Sequence, residues 1–187
     1  MRLAGEGASA DAKDEDGGPA VVAAATEGHT EVVEALLRLG CDPNAPNMYG
    51  RTALMFAALS GHGGVVGALL EHGGAELDAV DSFGGMTALM WAAWKGRAAV
   101  AAQLVEAGAD ATLRATGGDW EGKTALEMAE TIKGWDSEEQ KQGKAEVAAL
   151  LRSAAEPRVR VPLSLIHISE PTRRYAIAYA GVGLKKK

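Results

Sequence analysis

Gly50-Arg51-Thr52-Ala53-Leu54-Met55-Phe56-Ala57-Ala58-Leu59-Ser60-Gly61-His62, continuing through Val65-Val66-Gly67-Ala68-Leu69-Leu70-Glu71-His72-Gly73, decides how the 187-residue chain is read. Its front half returns as Gly84-Gly85-Met86-Thr87-Ala88-Leu89-Met90-Trp91-Ala92-Ala93, and its back half stands earlier as Glu27-Gly28-His29 with Val32-Val33-Glu34-Ala35-Leu36-Leu37. The period is about 33 residues. Thr52 offers the side-chain oxygen that a helix N-cap uses, and the Ala/Leu/Met/Phe run after it is a strong helix former. Gly61 stops that helix. Val65, Val66, Leu69 and Leu70 then form one apolar stripe at helical period, and Gly73 stands where a glycine C-cap belongs. One unit is therefore two short antiparallel helices and a polar turn. So small a pair buries too little surface alone, and stacking units in series removes the difficulty.

Thr-x-Leu, Ala-Ala, Gly-His, Val-Val and Leu-Leu-x-x-Gly all fall in phase, and on them residues 13–152 resemble the ankyrin-repeat family. The resemblance implies an all-α solenoid of stacked helix-turn-helix units with short β-turn or hairpin tips. Repeats are expected at 13–45, 46–79, 80–113 and 114–152. The first is degenerate, with Pro19-Ala20-Val21-Val22 where Thr-Pro-Leu-His is usual. The second and third each carry an extra glycine, at Gly73-Gly74 and Gly84-Gly85. The family's proline becomes Ala53, Ala88 and Ala125, and its histidine becomes Met55, Met90 and Glu127, so the usual threonine-to-histidine bond cannot form. In the fourth, an insertion, Lys133 to Gly143, separates the helices. Ser137-Glu138-Glu139-Gln140 reads as a capping box opening a last helix with Val147, Leu150 and Leu151 on one face and charges on the other. A polar outer helix suits an end cap.

The flanks read differently. Gly7-Ala8-Ser9-Ala10-Asp11-Ala12 lines up one period before Gly40-Cys41-Asp42-Pro43-Asn44-Ala45, so residues 1–12 are expected to be the tail of a preceding repeat, as in a chain opened inside a repeat. A flexible acidic leader is the alternative, given Asp14-Glu15-Asp16. Residues 153–162, ending Glu156-Pro157-Arg158-Val159-Arg160-Val161-Pro162, read as a tether. Residues 163–187 resemble the conceptual translation of a sequencing-library adapter ending in a homopolymer; a disordered assembly artefact is expected, with a β-hairpin or basic tail as the alternative.

The chain carries a net charge of −6; the last 25 residues hold five basic residues and one acidic, leaving 14 basic against 24 acidic in the remainder. An acidic body with no basic stripe repels phosphate backbones, so no nucleic acid is expected. No apolar run is long enough to cross a bilayer and no signal-type segment opens the chain, so an intracellular monomer, cytoplasmic or nuclear, is expected without membrane insertion. The single cysteine, Cys41, forms no internal disulfide and reads as a packing residue.

Little points to chemistry. His29 and His62 belong to the Gly-His dipeptide, where the resemblance implies a structural role. Neither repeats a base-and-nucleophile arrangement. Gly61-His62-Gly63-Gly64-Val65-Val66-Gly67 lacks the spacing and the preceding strand of a dinucleotide loop. No Cys/His cluster has zinc spacing and no acidic pair repeats as a calcium site. No catalysis, cofactor or metal is expected.

The resemblance implies instead a concave face of turn tips and first helices that binds a partner protein. Its positions here are Glu15, Asp16, Thr26 and Glu27; then Met48, Tyr49, Arg51, Leu59 and Ser60; then Ser82, Phe83, Met86, Trp94 and Lys95; then Trp120, Glu121, Lys123 and Thr131. The aromatics Tyr49, Phe83, Trp94 and Trp120 are the expected anchors, with Arg51, Lys95 and Lys123 at the rim. Packing of Phe83 and Trp94 against a neighbouring repeat is the competing reading, and Trp91 and Phe56 are assigned to the core. An interaction module is thus expected; the alternative is the ankyrin segment of a larger enzyme, channel or receptor. The tail yields a direct test: deleting residues 163–187 leaves the melting temperature unchanged, and mass spectrometry of native protein finds no peptide across Pro162-Leu163.

Overall fold

The computed structural model describes residues 18–72 and 74–155. The expectations for residues 1–12, for 156–187 and for Gly73 as a C-cap lie outside the described residues.

Among the described residues, eight α-helices follow in pairs: α1 (Ala20–Glu27) and α2 (Thr30–Arg38), α3 (Ala53–Ser60) and α4 (Gly63–His72), α5 (Ala88–Lys95) and α6 (Ala98–Ala107), α7 (Ala125–Glu130) and α8 (Glu138–Ala155). First helices stack on first helices and second on second, giving the two-layered all-α solenoid. A first helix held between two neighbours and its own partner has almost no polar face. In α3, Ala53, Leu54, Met55, Ala57 and Ala58 are all buried, and α5 buries Ala88 through Ala93 without a break.

The first helix of each of the first three pairs is capped by a glycine at positive φ, 77° at Gly28, 91° at Gly61 and 69° at Gly96, whereas α7 is capped by Thr131. The next pair closes on each of these turns. His62 lies against Gly28, and its Nε2 is 3.1 Å from the Thr26 carbonyl oxygen, which requires the proton on Nε2. Arg97 lies against Gly61 and donates from Nε to the Leu59 carbonyl, 3.3 Å. Arginine thereby takes over the bridge that histidine makes one repeat earlier. At Gly96 the backbone of α8 itself makes the approach, and a Cβ on Gly143 would collide with the Gly96 carbonyl oxygen.

Threonine capping differs from pair to pair. Thr87 Oγ1 accepts from the Met90 N–H, 3.3 Å. Thr124 and Glu127 form a reciprocal box: Thr124 Oγ1 accepts from the Glu127 N–H, 3.3 Å, and Glu127 Oε2 accepts from the Thr124 N–H, 2.8 Å. Glutamate in place of the family's histidine therefore restores a reciprocal cap. Thr52, expected to cap α3, has the N-cap backbone conformation but makes no side-chain cap, and its buried hydroxyl has no partner.

The capping box at the start of α8 forms as read: Gln140 N–H donates to Ser137 Oγ, 3.2 Å, and Ser137 N–H to Gln140 Oε1, 3.1 Å. Only residues 133–137 of the insertion are loop; Glu138 to Gly143 add turns to α8, and Ser153 to Ala155, read as tether, are still helical. Val147 and Leu151 are buried and Leu150 partly so, but the stripe also holds a charge, because Lys144 is buried completely.

Gly143→Ala is expected to cost about 2 kcal/mol, through overpacking against backbone that has no flexible end to yield. Gly67, in the middle of α4, meets nothing within 4 Å. Gly67→Ala is expected to stabilise by about 0.5–1 kcal/mol. Chemical denaturation of both variants checks the opposite signs.

Candidate interaction surface

The second, third and fourth tips are each closed by the backbone: Asn47 N–H to Arg51 O, 2.9 Å, Asp81 N–H to Met86 O, 3.2 Å, and Ala115 N–H to Lys123 O, 3.0 Å. The side chains of Asn47 and Asp81 brace the turns, Asn47 Oδ1 accepting from the Tyr49 and Arg51 N–H groups and Asp81 Oδ1 from those of Gly84 and Met86. Neighbouring tips are tied together, Ser82 N–H to Tyr49 O at 3.0 Å and Thr116 N–H to Gly84 O at 2.9 Å. The row is therefore held in place by backbone hydrogen bonds of its own. Met48 (74% exposed), Tyr49 (52%) and Phe83 (77%) stand out from it. Beside the second tip lies an open groove of about 450 Å³, lined by Val22, Ala23, Thr26, Met48, Tyr49 and Phe56, among others, with Glu27 as its charged group.

The third and fourth tips depart from the expected aromatic face. The fourth is longer and contains a 3₁₀ turn, Gly118–Trp120, that buries Trp120 against Trp94, ring centroids 6.2 Å apart and edge to face. Trp94 is half-buried and also packs on Trp91, at 5.3 Å. Met86 is buried as well. Met86 and Trp120 are thus packed inside the stack, and Trp94 packs on Trp120 of the neighbouring repeat while keeping part of its surface in solvent. Phe83 is the opposite case, exposed. Phe56, assigned to the core, is half-buried and lines the groove.

The rim charges are engaged to different degrees. The Arg51 guanidinium lies 4.5 Å from the Trp91 ring and 5.8 Å from Tyr49, with Nε 3.4 Å from Asp81 Oδ2, so it is half-buried rather than peripheral. Lys95 Nζ is 4.2 Å from the Trp94 ring. Leu59 and Ser60 are partly covered, whereas Ser82, Glu121 and Lys123 are exposed. Thr131 is half-buried, its hydroxyl donating to Glu127 O at 2.7 Å. Glu15 and Asp16 lie outside the described residues.

Two features escape a reading of the sequence. Trp135, in the α7–α8 loop, is 78% exposed, and Lys133 Nζ sits between it and Trp120, 5.1 and 4.9 Å from the rings. Behind this loop the buried Lys144 ammonium contacts Asp136 Oδ2 at 2.6 Å and donates to the Thr131 carbonyl at 3.0 Å. Burial pushes the Asp136 carboxyl up, but the Lys133 N–H and the Lys144 ammonium outweigh it and hold it below the usual carboxylate value. The signal for Lys144 was present, since it lies three and seven residues before Val147 and Leu151, on the same face.

Comparison with protein families places this geometry. The family model described as "Ankyrin repeats (3 copies)" matches residues 1–81 and again residues 24–115, more than half of the chain. The chain belongs to the ankyrin-repeat family. Membership implies a protein–protein interaction module. No curated protein matches the chain. The fourth helix pair falls beyond the matched residues, and its place in the ankyrin-repeat stack rests on the packing of α7 on α5 and of α8 on α6. Among the described residues, no three His, Cys, Asp or Glu side chains are grouped to hold a metal ion, and no helix is long and apolar enough to cross a membrane.

Lys144→Ala strands a buried carboxylate and is expected to cost about 3 kcal/mol or more. The exposed Arg38–Glu34 pair provides the control, and Arg38→Ala is expected to cost less than about 0.5 kcal/mol. Because the folded-state value of Asp136 is lowered, its stabilisation is present above the unfolded-state value and lost as pH falls through the folded one. Melting curves across acid pH should show the gap between the natural protein and Asp136→Asn closing below the ordinary carboxylate range.

Proposed function

We propose that the ankyrin-repeat stack binds a partner protein through the row of tips at the second and third repeats and the adjoining groove, without catalysing a reaction. Met48, Tyr49 and Phe83 are the apolar contacts in this reading, Ser82 a polar one, and Lys95, Glu121 and Lys123 the rim. The observation that carries it is the exposure of three large apolar side chains on consecutive tips that backbone hydrogen bonds hold rigid. Exposed apolar side chains of this size on a preorganised frame favour association, because little conformational freedom is left to lose. Met86 and Trp120, being buried, act through the frame and not by contact.

Proximity labelling in the source cell supplies the partner, and calorimetry with the purified pair measures it. Tyr49→Ala and Phe83→Ala are each expected to weaken binding about 30-fold, corresponding to about 2 kcal/mol, with melting temperatures unchanged. Trp94→Ala should lower the melting temperature instead. Natural affinity in both Tyr49→Ala and Phe83→Ala would overturn the proposal.

A further inference from the structure

The chain has four tryptophans, and the fold links all of them into one row interleaved with cations. The row starts with the Arg51 guanidinium on Trp91, passes from Trp91 to Trp94 and from Trp94 to Trp120, and ends with Lys133 between Trp120 and Trp135. Lys95 stands over Trp94 at its centre. Trp91 and Trp120 are buried and Trp94 half-buried, but the far end is open: Trp135 is 78% exposed and nearby Ile132 57%. Lys95 and Lys133 are each half-covered.

The cations of this row are not all neutralised. Arg51 is paired with Asp81, and around the fourth helix pair Glu127 holds Arg114, Glu130 holds Arg152, Asp136 holds Lys144 and Glu138 holds Lys141. Lys95 and Lys133 differ: among the described residues, neither ammonium has a carboxylate within 4 Å, and each meets the faces of rings instead. A ring face attracts an ammonium but leaves its outward N–H groups without an acceptor. The body of the chain is acidic, 14 basic against 24 acidic residues outside the last 25, so two uncompensated ammoniums on one row of rings are an exception to it. Lys95 also lines, with Arg97, a polar cleft of about 300 Å³ at the start of α8, whose acidic member is Glu139. The row is complementary in charge to a carboxylate, and the ring contacts hold both long side chains in place, so that less freedom is lost when one binds.

We propose that Lys95, Lys133 and Trp135, braced by Trp94 and Trp120, form a second contact surface that takes an acidic segment of a partner protein. Carboxylates of the segment pair with Lys95 and Lys133, and an apolar side chain beside them lies on Trp135 and Ile132. A nucleic acid suits the row less well: the inner rings are already covered by ammoniums or by one another, which leaves bases no platform but Trp135, and the acidic body repels a phosphate chain. Met48, Tyr49 and Phe83 take no part, so this surface stands or falls apart from the row of tips, with Lys95 alone common to both.

Tryptophan fluorescence reads this surface directly, because every tryptophan of the chain belongs to the row. The probe is a capped oligoglutamate peptide with a central phenylalanine, compared with its glutamine counterpart and with an oligothymidylate. A saturable change in emission is expected with the glutamate peptide, weakening as salt is raised, and none with the glutamine peptide. Lys95→Gln and Lys133→Gln are each expected to weaken binding about fivefold, with melting temperatures within about 2 °C of the natural protein's, while Lys133→Arg keeps the natural affinity. Trp135→Ala should weaken it by a similar factor and Phe83→Ala should not. Absence of a saturable change, equal binding of the two peptides, or natural affinity in the Lys95→Gln/Lys133→Gln double variant overturns the proposal. Tighter binding of the oligothymidylate assigns the row to phosphate chains and overturns it as well. Loss of binding in Phe83→Ala with both lysine variants unaffected moves the acidic segment to the tips, which overturns this surface and leaves the proposed function of the tips standing.

Discussion

The close approach of successive helix pairs at their turn glycines is the constraint on which the rest of this stack depends. A pair of helices of eight to ten residues cannot shield its apolar side chains alone, so each gains its stability from its neighbours. The distance between neighbours is set where His62, Arg97 and finally Gly143 press on Gly28, Gly61 and Gly96. Three different residues solve the same steric problem. Histidine and arginine lay a flat or extended side chain over the glycine and bond to the carbonyl two residues before it. Gly143 removes the side chain altogether, so that the α8 backbone takes the place of a side chain.

That last solution explains why the fourth pair looks irregular. Bringing the α8 backbone against Gly96 goes with a helix extended by about half its length at the N-terminal end, a shortened α7, and a loop that must turn sharply between them. Asp136 and Lys144 hold the loop. An ion pair this buried is costly to desolvate, and the Lys133 N–H and the Thr131 carbonyl add hydrogen bonds that offset part of the cost. Trp120, in the lengthened tip, packs edge to face on Trp94.

The surface divides accordingly. In the third and fourth repeats, aromatic rings serve each other and the lysines above them; in the second, a short tip leaves Met48, Tyr49 and the groove uncovered. Arg51 lies across the boundary, its guanidinium stacked on Trp91 of the third repeat and near Tyr49 of the second. Phe83 belongs to the open side although it sits on the third tip, because the backbone bonds that tie its neighbours to adjacent tips leave its ring facing solvent.

The repeating text determined the helix pairs, the turn glycine at Gly61, the capping box at Ser137 and the buried stripe of α8, because each depends on residues a few positions apart. It also named Tyr49, Phe83, Trp94 and Trp120 as a set. Periodicity assigns Tyr49, Phe83 and Trp120 to the tips and Trp94 to the end of a first helix, and contains nothing about the length of a neighbouring tip. Only the tertiary structure separated Tyr49 and Phe83, which are exposed, from Trp120, which is buried, and Trp94, which is half-buried: the extra residues of the fourth tip fold back across a distance no local pattern records. Thr52 shows the same limit, since its capping oxygen is in the right place in the chain and still makes no bond. Lys144 lay on the apolar face by spacing alone, but only the fold brings Asp136 across eight residues and a sharp turn to receive its charge.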